Sequence, residues 1–477
     1  MRDLSPKAFY KLLYEGFPHE PTSKQARALE ELSGYLLSAE KNTIYMLRGF
    51  AGTGKTTIIA TMVKNLWHTR LKTVLMAPTG RAAKVMSQYA NTRAYTIHRK
   101  IYFPKKEKSG AMRFVLAPNK HRNTVFIVDE ASMIPDTPAD SKLFENGALL
   151  DDLIQFVYSG HQCKLILIGD TAQLPPVRLS LSPALEPDKL ALNYQKEVYG
   201  LELDEVVRQS KSSGILWNAT LVREQIESGY YQGFKFILDG YTDIIRLTDG
   251  YETQEAIDSA YSNLGKEETV FIVRSNKRAN LYNESIRKRI LFLESELAAG
   301  DYLMVVKNNY FWLKPNSEAG FIANGDIIEV LEIFAIRELY GFRFAEVRVK
   351  MVDYPDQAPF ETVLLLDTIK AETPSLSWED GNRLYQEIQK DYAHEKSSYK
   401  RFMGVKNNKH FNALQVKFSY AITCHKSQGG QWDTVFVEQP YLPEGVDKEY
   451  LRWLYTAITR ARTKLYLIGF KDDFFLD

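Results

Sequence analysis

Eight residues constrain this chain more than any others. Gly49-Phe50-Ala51-Gly52-Thr53-Gly54-Lys55-Thr56 fits the pattern G-x4-G-K-[ST]. That pattern works in one setting: a buried strand feeds a glycine-rich turn that opens a helix. Backbone N–H groups then wrap an anionic phosphate, and the helix N-terminus adds positive potential. Both flanks agree, with the apolar run Ile44–Leu47 before it and an amphipathic stretch to about Trp67 after it. The expectation is a nucleotide site in which Lys55 reaches the terminal phosphates and the Thr56 hydroxyl ligates Mg²⁺. Gly49, Phe50, Ala51, Gly52, Thr53, Gly54 and Thr57 complete the cradle.

The theme of strand, turn and helix repeats. Thr73–Ala77 runs into Pro78–Lys84, Thr124–Val128 ends in Asp129-Glu130, and Lys164–Ile168 ends in Gly169-Asp170. Near-continuous apolar strands alternating with helices predict a parallel α/β sheet, whose ligands sit at the strands' carboxyl ends. Every polar signature just named falls at such an end. Asp129 is placed to hold Mg²⁺, and Glu130 to orient and deprotonate an attacking water. A second unit is expected from Thr269–Val273, Ser419–Thr423, Thr434–Val437 and Lys464–Ile468. Between them, residues 300–366 alternate with period two and carry turn signals at Asn324-Gly325-Asp326 and Tyr340-Gly341, which predicts a small inserted β-barrel. Residues 377–403 read as a charged, helical, exposed excursion.

Composition narrows the class. The chain has 477 residues, enough for about three domains at ~150 residues each. Sixty-one Lys and Arg against 59 Asp and Glu leave a net charge of +2. That excludes binding of nucleic acid through a basic tail, but not local basic stripes. The two cysteines, Cys163 and Cys424, form no C-x-x-C, and there is no H-E-x-x-H, so neither zinc nor a disulfide framework is supported. The longest apolar runs are far below a membrane span and the first residues lack a signal-peptide core, so a soluble, cytoplasmic protein with no membrane partner is expected.

The order of further motifs carries a resemblance. Gly169-Asp170-Thr171-Ala172-Gln173-Leu174-Pro175-Pro176-Val177 closely resembles motif III of superfamily 1 helicases. Ala77–Lys84 resembles motif Ia, Tyr95-Thr96-Ile97-His98 motif Ib and Val206-Val207-Arg208-Gln209 motif IV. Ala421–Gly429 resembles motif V and Leu454–Arg462 motif VI. The GRAAK and T-x-H-K-S-Q-G variants are similar to the RecD/Dda-like branch, superfamily 1B. The resemblance implies two RecA-like parallel-sheet domains with a small β-hairpin insertion (1B) and an SH3-like barrel insertion (2B). It divides the chain into domain 1A (1–98 and 123–200), the 1B pin (99–122), domain 2A (201–298 and 418–477) and domain 2B (299–417).

The same resemblance implies roles. Gln25 contacts adenine, the alternative being a surface glutamine at a helix start. Gln173 senses the γ-phosphate. Arg208 and Arg460 come from the second domain to the phosphoryl group, which suits their permanent, planar charge. Pro78, Thr79, Arg81, Thr96 and His98 on one domain, with His425, Lys426 and Ser427 on the other, hold the backbone of single-stranded DNA, the alternative for His98 and His425 being satisfied structural histidines. Arg462 is read as structural. ATP and Mg²⁺ are the expected cofactors. The expected activity is 5′-to-3′ translocation on single-stranded DNA with strand separation. The alternative is a single-stranded nucleic-acid translocase that separates no duplex. A UvrD-type, 3′-to-5′ enzyme fits motif III less well, and DNA versus RNA stays open. A monomer is expected, acting at duplex junctions, with replication or repair proteins as the partner class.

Two basic stretches lie outside the ATP motifs. Residues 99–122 hold eight Lys or Arg against one acid, Glu107, interleaved with Tyr102, Phe103 and Phe114. Charge with aromatics at a hairpin tip suits backbone attraction plus base stacking; a solvated basic loop is the alternative. Phe103 and Phe114 are the candidates for a strand-splitting pin. Residues 396–417 hold six Lys or Arg and no acid.

Overall fold

A computed structural model describes residues 4–106, 112–137, 147–205, 212–314 and 317–476. Along the chain the first strands are Thr43–Gly49 (β1), Lys72–Ala77 (β2) and Ala94–Thr96 (β3). An antiparallel hairpin follows, Tyr102–Lys106 (β4) with Met112–Leu116 (β5), then Thr124–Val128 (β6), Lys164–Gly169 (β7) and Glu197–Leu203 (β8). Six of them form one sheet in the order β3-β2-β6-β7-β1-β8, with every neighbouring pair parallel. β6 and β7 are buried along their whole length, as their unbroken apolar runs require when helices cover both faces.

β8 was not anticipated, because Glu-Val-Tyr-Gly-Leu-Glu-Leu is too polar to read as a core strand. It is an edge strand paired along the whole of β1. A Cβ on Gly200 would lie 2.1 Å from the carbonyl oxygen of Met46, so glycine is what permits that close approach. The expected boundary at 200/201 therefore cuts a strand.

The second half opens with Ile244–Leu247 (β9) and Thr269–Val273 (β10). A closed five-stranded barrel follows: Tyr302–Val305 (β11), Ile327–Leu339 (β12), Phe342–Met351 (β13), Phe360–Leu365 (β14) and Leu414–Phe418 (β15). The chain then returns through Ala421–Thr423 (β16), Trp432–Glu438 (β17) and Ala461–Ile468 (β18), completing a parallel sheet in the order β16-β10-β17-β18-β9. The barrel is SH3-like and its last strand crosses the expected boundary at 417/418. β15 pairs antiparallel with β11 and parallel with β14, which closes the barrel.

The insertion is rooted by a buried bidentate pair. Arg287 donates to both oxygens of Asp301 at 2.8 and 2.9 Å, and the Tyr420 hydroxyl donates to the same carboxylate at 2.9 Å. The chain's entry into the barrel and its exit are thus tied at one point. Helices Trp378–Asp391 and Ser398–Lys406 correct a second expectation. They are not an exposed excursion: Leu384, Ile388 and Val405 are buried against Phe342, Phe344, Val363 and Leu365 of the barrel. Two apolar residues four apart suffice to seat an otherwise charged helix on a β surface.

Candidate functional site

The phosphate loop has the predicted build. Gly52 (φ 74°) and Gly54 (φ 84°) occupy left-handed backbone that other residues adopt only with strain, and Gly54 caps helix Lys55–Asn65. The Thr53 hydroxyl donates to the carbonyl of Phe50 at 2.8 Å, holding the turn. Lys55 Nζ donates to the carbonyls of Gly49 and Phe50 at 2.6 and 2.8 Å. Thr56 is exposed on the first helical turn, with Thr57 beside it.

Gln25 sits behind this loop, 1% exposed. Its Oε1 accepts from the backbone of Thr22, closing a capping box, and its Nε2 donates to the carbonyl of Thr53 at 3.0 Å. The amide expected to face adenine first supports the loop from within; one hydrogen and one lone pair are left for any further contact.

Beside the loop, β6 delivers the two carboxylates. Asp129 accepts from the Tyr89 hydroxyl at 2.7 Å through one oxygen and from the backbone of Glu130 at 2.8 Å through the other. Each oxygen keeps a lone pair, and these with the Thr56 hydroxyl are hard oxygens of the kind that could hold Mg²⁺. Glu130 has φ 52°, which turns its side chain away from the strand direction. Burial raises its pKa above the ordinary 4.5, while Arg460 opposes the shift. On the next loop, Asp170 is 1% exposed and accepts from the backbone of Ala172 at 2.9 Å. Gln173 is 7% exposed and its Oε1 is a buried acceptor with no protein partner.

The second domain completes the cleft. Helix Lys448–Ile458 and the residues after it present one face to the first domain at Arg452, Tyr455, Thr456 and Arg460, spaced as helix neighbours should be. Arg452 donates to the carbonyl of Ser180 at 2.6 Å, and Thr456 accepts from the backbone of Leu174 at 2.9 Å. Arg460 is 2% exposed, held by the carbonyl of Thr456 at 3.0 Å, and its Nη1 lies 3.9 Å from Glu130. Arg208 lies outside the described residues. Arg462 forms outward pairs with Glu268 and Asp433, in keeping with a structural role.

The residues expected along the DNA track differ in their surroundings. Thr96 is 4% exposed and its hydroxyl caps a short helix by accepting from the backbone of Arg99, so it does not face solvent. Ser427 is fully buried and donates to the carbonyl of Cys424. Burial pushes the His98 pKa down to about 4, so this ring is neutral, packed near Tyr102 and Phe321, and supplies no cation. Arg81 stacks on Trp432 at 4.3 Å, donates to the carbonyl of Gln431 and lies 3.9 Å from Asp353. These four were placed by motif alone, and a motif does not say which side chains are taken up by local bonds, as for Thr96 and Ser427, or by another domain, as for His98 and Arg81.

Pro78 and Thr79 remain partly exposed, with the Thr79 hydroxyl capping helix Gly80–Ala90, and His425 is exposed. Lys426 donates to Asn324 of the barrel, and burial lowers its pKa to about 8. On the hairpin the aromatics part company. Phe103 pairs with Val115 and is 40% exposed. Phe114, one position over, is 8% exposed and packs 4.4 Å from Tyr310. It is an anchor rather than a wedge. The tip, residues 107–111, lies outside the described residues.

Sequence reasoning passed over Tyr89, Trp432 and Tyr455. Tyr455 stands inside the motif VI run, five residues before Arg460, and that position was its only signal; nothing in the sequence pairs Tyr89 with Asp129.

Parts of the chain match known protein families. Residues 36–178 match the AAA domain model, and residues 418–468 match the model of the UvrD-like helicase C-terminal domain. The ATP-dependent DNA helicase Dda of Enterobacteria phage T4 is 26% identical over 463 residues, covering 90% of this chain and 95% of that protein. The ATP-dependent RecD2 DNA helicase of Deinococcus radiodurans is 32% identical over 181 residues, 37% of this chain and 22% of that one. Among solved structures, Bacteroides Pif1 bound to single-stranded DNA aligns over 96% of this chain and 95% of its own at 16% identity, TM-score 0.46.

Proposed function

We propose, starting from this chain's membership of superfamily 1B, the RecD/Dda-like branch of the DNA helicases, that it hydrolyses ATP to move 5′ to 3′ along single-stranded DNA and separates duplex ahead of it. One observation carries the coupling: the second α/β domain inserts Arg460 within 3.9 Å of Glu130, so the hydrolytic site is split between two domains. Whatever changes at the terminal phosphate changes the force between the domains, an ordinary hinge cycle.

The residues then take these parts. Backbone N–H groups of the loop and Lys55 hold the phosphates, Lys55 exchanging its two carbonyl bonds for phosphate oxygens. Thr56 and Asp129 would hold Mg²⁺, which would supply neutralisation of charge developing on the phosphates. Glu130 takes the proton of the attacking water; its raised pKa makes it a better base than an exposed glutamate. Gln173 orients that water and the transferred group. Arg460, with Arg208, disperses the transition-state charge. Pro78, Thr79, His425 and Lys426 grip the DNA backbone without reading sequence, and Phe103 meets the duplex junction.

The test uses partial duplexes with a 5′ or a 3′ single-stranded tail. The expected result is ATP-dependent unwinding of the 5′-tailed substrate alone. Unwinding of only the 3′-tailed substrate overturns the direction. DNA-stimulated ATPase without unwinding of either identifies a translocase that does not separate strands.

A further inference from the structure

Tyr455 is 1% exposed and belongs to the second α/β domain, yet both hydrogen bonds of its hydroxyl cross to the first. The oxygen accepts from the backbone N–H of Ala51 in the phosphate loop at 2.8 Å. The hydroxyl hydrogen goes to Asp170 Oδ2 at 2.6 Å. The other oxygen of that carboxylate accepts from the backbone of Ala172 at 2.9 Å, immediately before Gln173. A continuous chain of three hydrogen bonds therefore links the phosphate loop to the turn that carries Gln173. Its middle member is supplied from across the cleft. Burial and the neighbouring Asp170 push the Tyr455 pKa well up, so the hydroxyl stays a donor.

Within the first domain the two loops are joined at their roots by the strand ladder that pairs Arg48 with Gly169, and beyond that ladder no described hydrogen bond links them. We propose that Tyr455 is a positioning residue: when the cleft closes, its hydroxyl sets the phosphate loop and the Gln173 turn in register, so that hydrolysis proceeds only in the closed arrangement. This rests on the ATP-site reading above and adds to it a residue that touches neither phosphate nor water. The physical basis is directional. A buried hydroxyl bonded at both ends fixes two backbones relative to each other, whereas a packed phenyl ring fixes neither. The effect belongs to geometry at the moment of reaction, so it should fall on turnover and not on nucleotide affinity.

The same helix supplies a control. Tyr450 is fully buried, and its hydroxyl donates to Gln439 at 2.6 Å, inside its own domain. Tyr450→Phe thus deletes an equivalent buried hydroxyl from the same helix without touching the cleft. In the full-length protein, Tyr455→Phe is expected to lower kcat for ATP with saturating single-stranded DNA by about ten- to hundredfold, with KM within about twofold and Tyr450→Phe near parental. Asp170→Asn should also lower kcat, and the double variant should be no worse than the poorer single one, as members of one chain are not additive.

Hydrogen exchange read in the absence of nucleotide and DNA gives a second measure. The Ala51 amide should exchange faster in Tyr455→Phe than in the parent and unchanged in Tyr450→Phe. Parental kcat in Tyr455→Phe, an equal loss in Tyr450→Phe, full additivity with Asp170→Asn, or an unaltered Ala51 amide would each overturn the proposal. An absence of ATPase in the parent would instead count against the functional reading, leaving the exchange result to decide the role of Tyr455.

Discussion

Glu130 and Arg460 face each other across the cleft, and their substitutions separate binding from turnover. Glu130→Gln keeps the shape and loses the base. It should bind ATP, hold DNA in the ATP-bound state and hydrolyse orders of magnitude more slowly. In the parent, the acidic limb of the kcat/KM–pH profile, which reports the free enzyme, should lie above the ordinary glutamate value of 4.5, because burial disfavours the charged form. A steady-state pH series on single-stranded DNA measures it, and a limb at or below 4.5 would remove Glu130 as the base. Arg460→Ala should bind ATP nearly normally and lose about 10³–10⁵ in rate, the range for arginines acting on a phosphoryl transition state. Retained DNA-stimulated ATPase would contradict a cleft shared by two domains. At this scale the ATP residues were legible because the chemistry demands fixed residue types at fixed offsets from strand ends. The DNA residues were less so. Thr96 and Ser427 turn to partners three residues away, Arg99 and Cys424, while His98 and Arg81 meet residues remote in sequence, Phe321, Trp432 and Asp353.

Among the elements, the hairpin and the barrel are the informative ones. The antiparallel pairing of β4 with β5 sends Phe103 and Phe114 to opposite faces, so their substitutions should part. Phe103→Ala should leave DNA-stimulated ATPase within a few-fold and cut unwinding, since base stacking on an aromatic contributes about 1–3 kcal/mol. Phe114→Ala should instead destabilise by about 3–5 kcal/mol, as buried phenylalanines do, lowering melting temperature together with activity. Unwinding that survives Phe103→Ala would place the wedge elsewhere.

The barrel contributes a pH effect at its contact with helix Gly80–Ala90. A Cβ on Gly80 would lie 2.6 Å from Asp326 Oδ1, which shows how tightly that helix start meets the barrel. Burial, with Asp353 nearby, pushes the Asp326 pKa from 3.8 up to about 8. The folded protein therefore binds this proton more tightly than the unfolded chain. The contribution is complete below pH 3.8 and is lost as pH rises toward about 8. Asp326→Asn keeps the acceptor for Ala323 and removes the titration. Thermal unfolding should show the parent losing stability between about pH 6 and 8 relative to Asp326→Asn. Parallel curves would refute it.

For the whole molecule, the proposed backbone-only grip should make affinity for single-stranded DNA fall with salt at a slope of about −0.7 per phosphate contact, measurable by fluorescence anisotropy. A salt-insensitive affinity would exclude this mode. The barrel also bears on this surface. Asp353 lies near Arg81 and Lys84, Glu318 pairs with Arg93, and Asn324 accepts from Lys426, so cations of both α/β domains already meet polar groups of the insertion.

The sequence by itself determined the two parallel sheets, the inserted barrel and the placing of Lys55, Asp129 and Glu130 at strand ends and a helix start. Unbroken apolar strands and a glycine-rich phosphate turn are local demands, met by neighbours in the chain. It did not determine β8, the seating of helices Trp378–Asp391 and Ser398–Lys406, or which DNA-motif side chains stay free. Nor did it reveal that Tyr455 closes a hydrogen-bonded chain between two loops of the other domain. Those were decided by tertiary structure, because a polar edge strand, a sparsely apolar helix and a buried hydroxyl take their partners from residues tens to hundreds of positions away. Burial, which sets the charge of His98, Glu130 and Asp326, is a property of the packed whole.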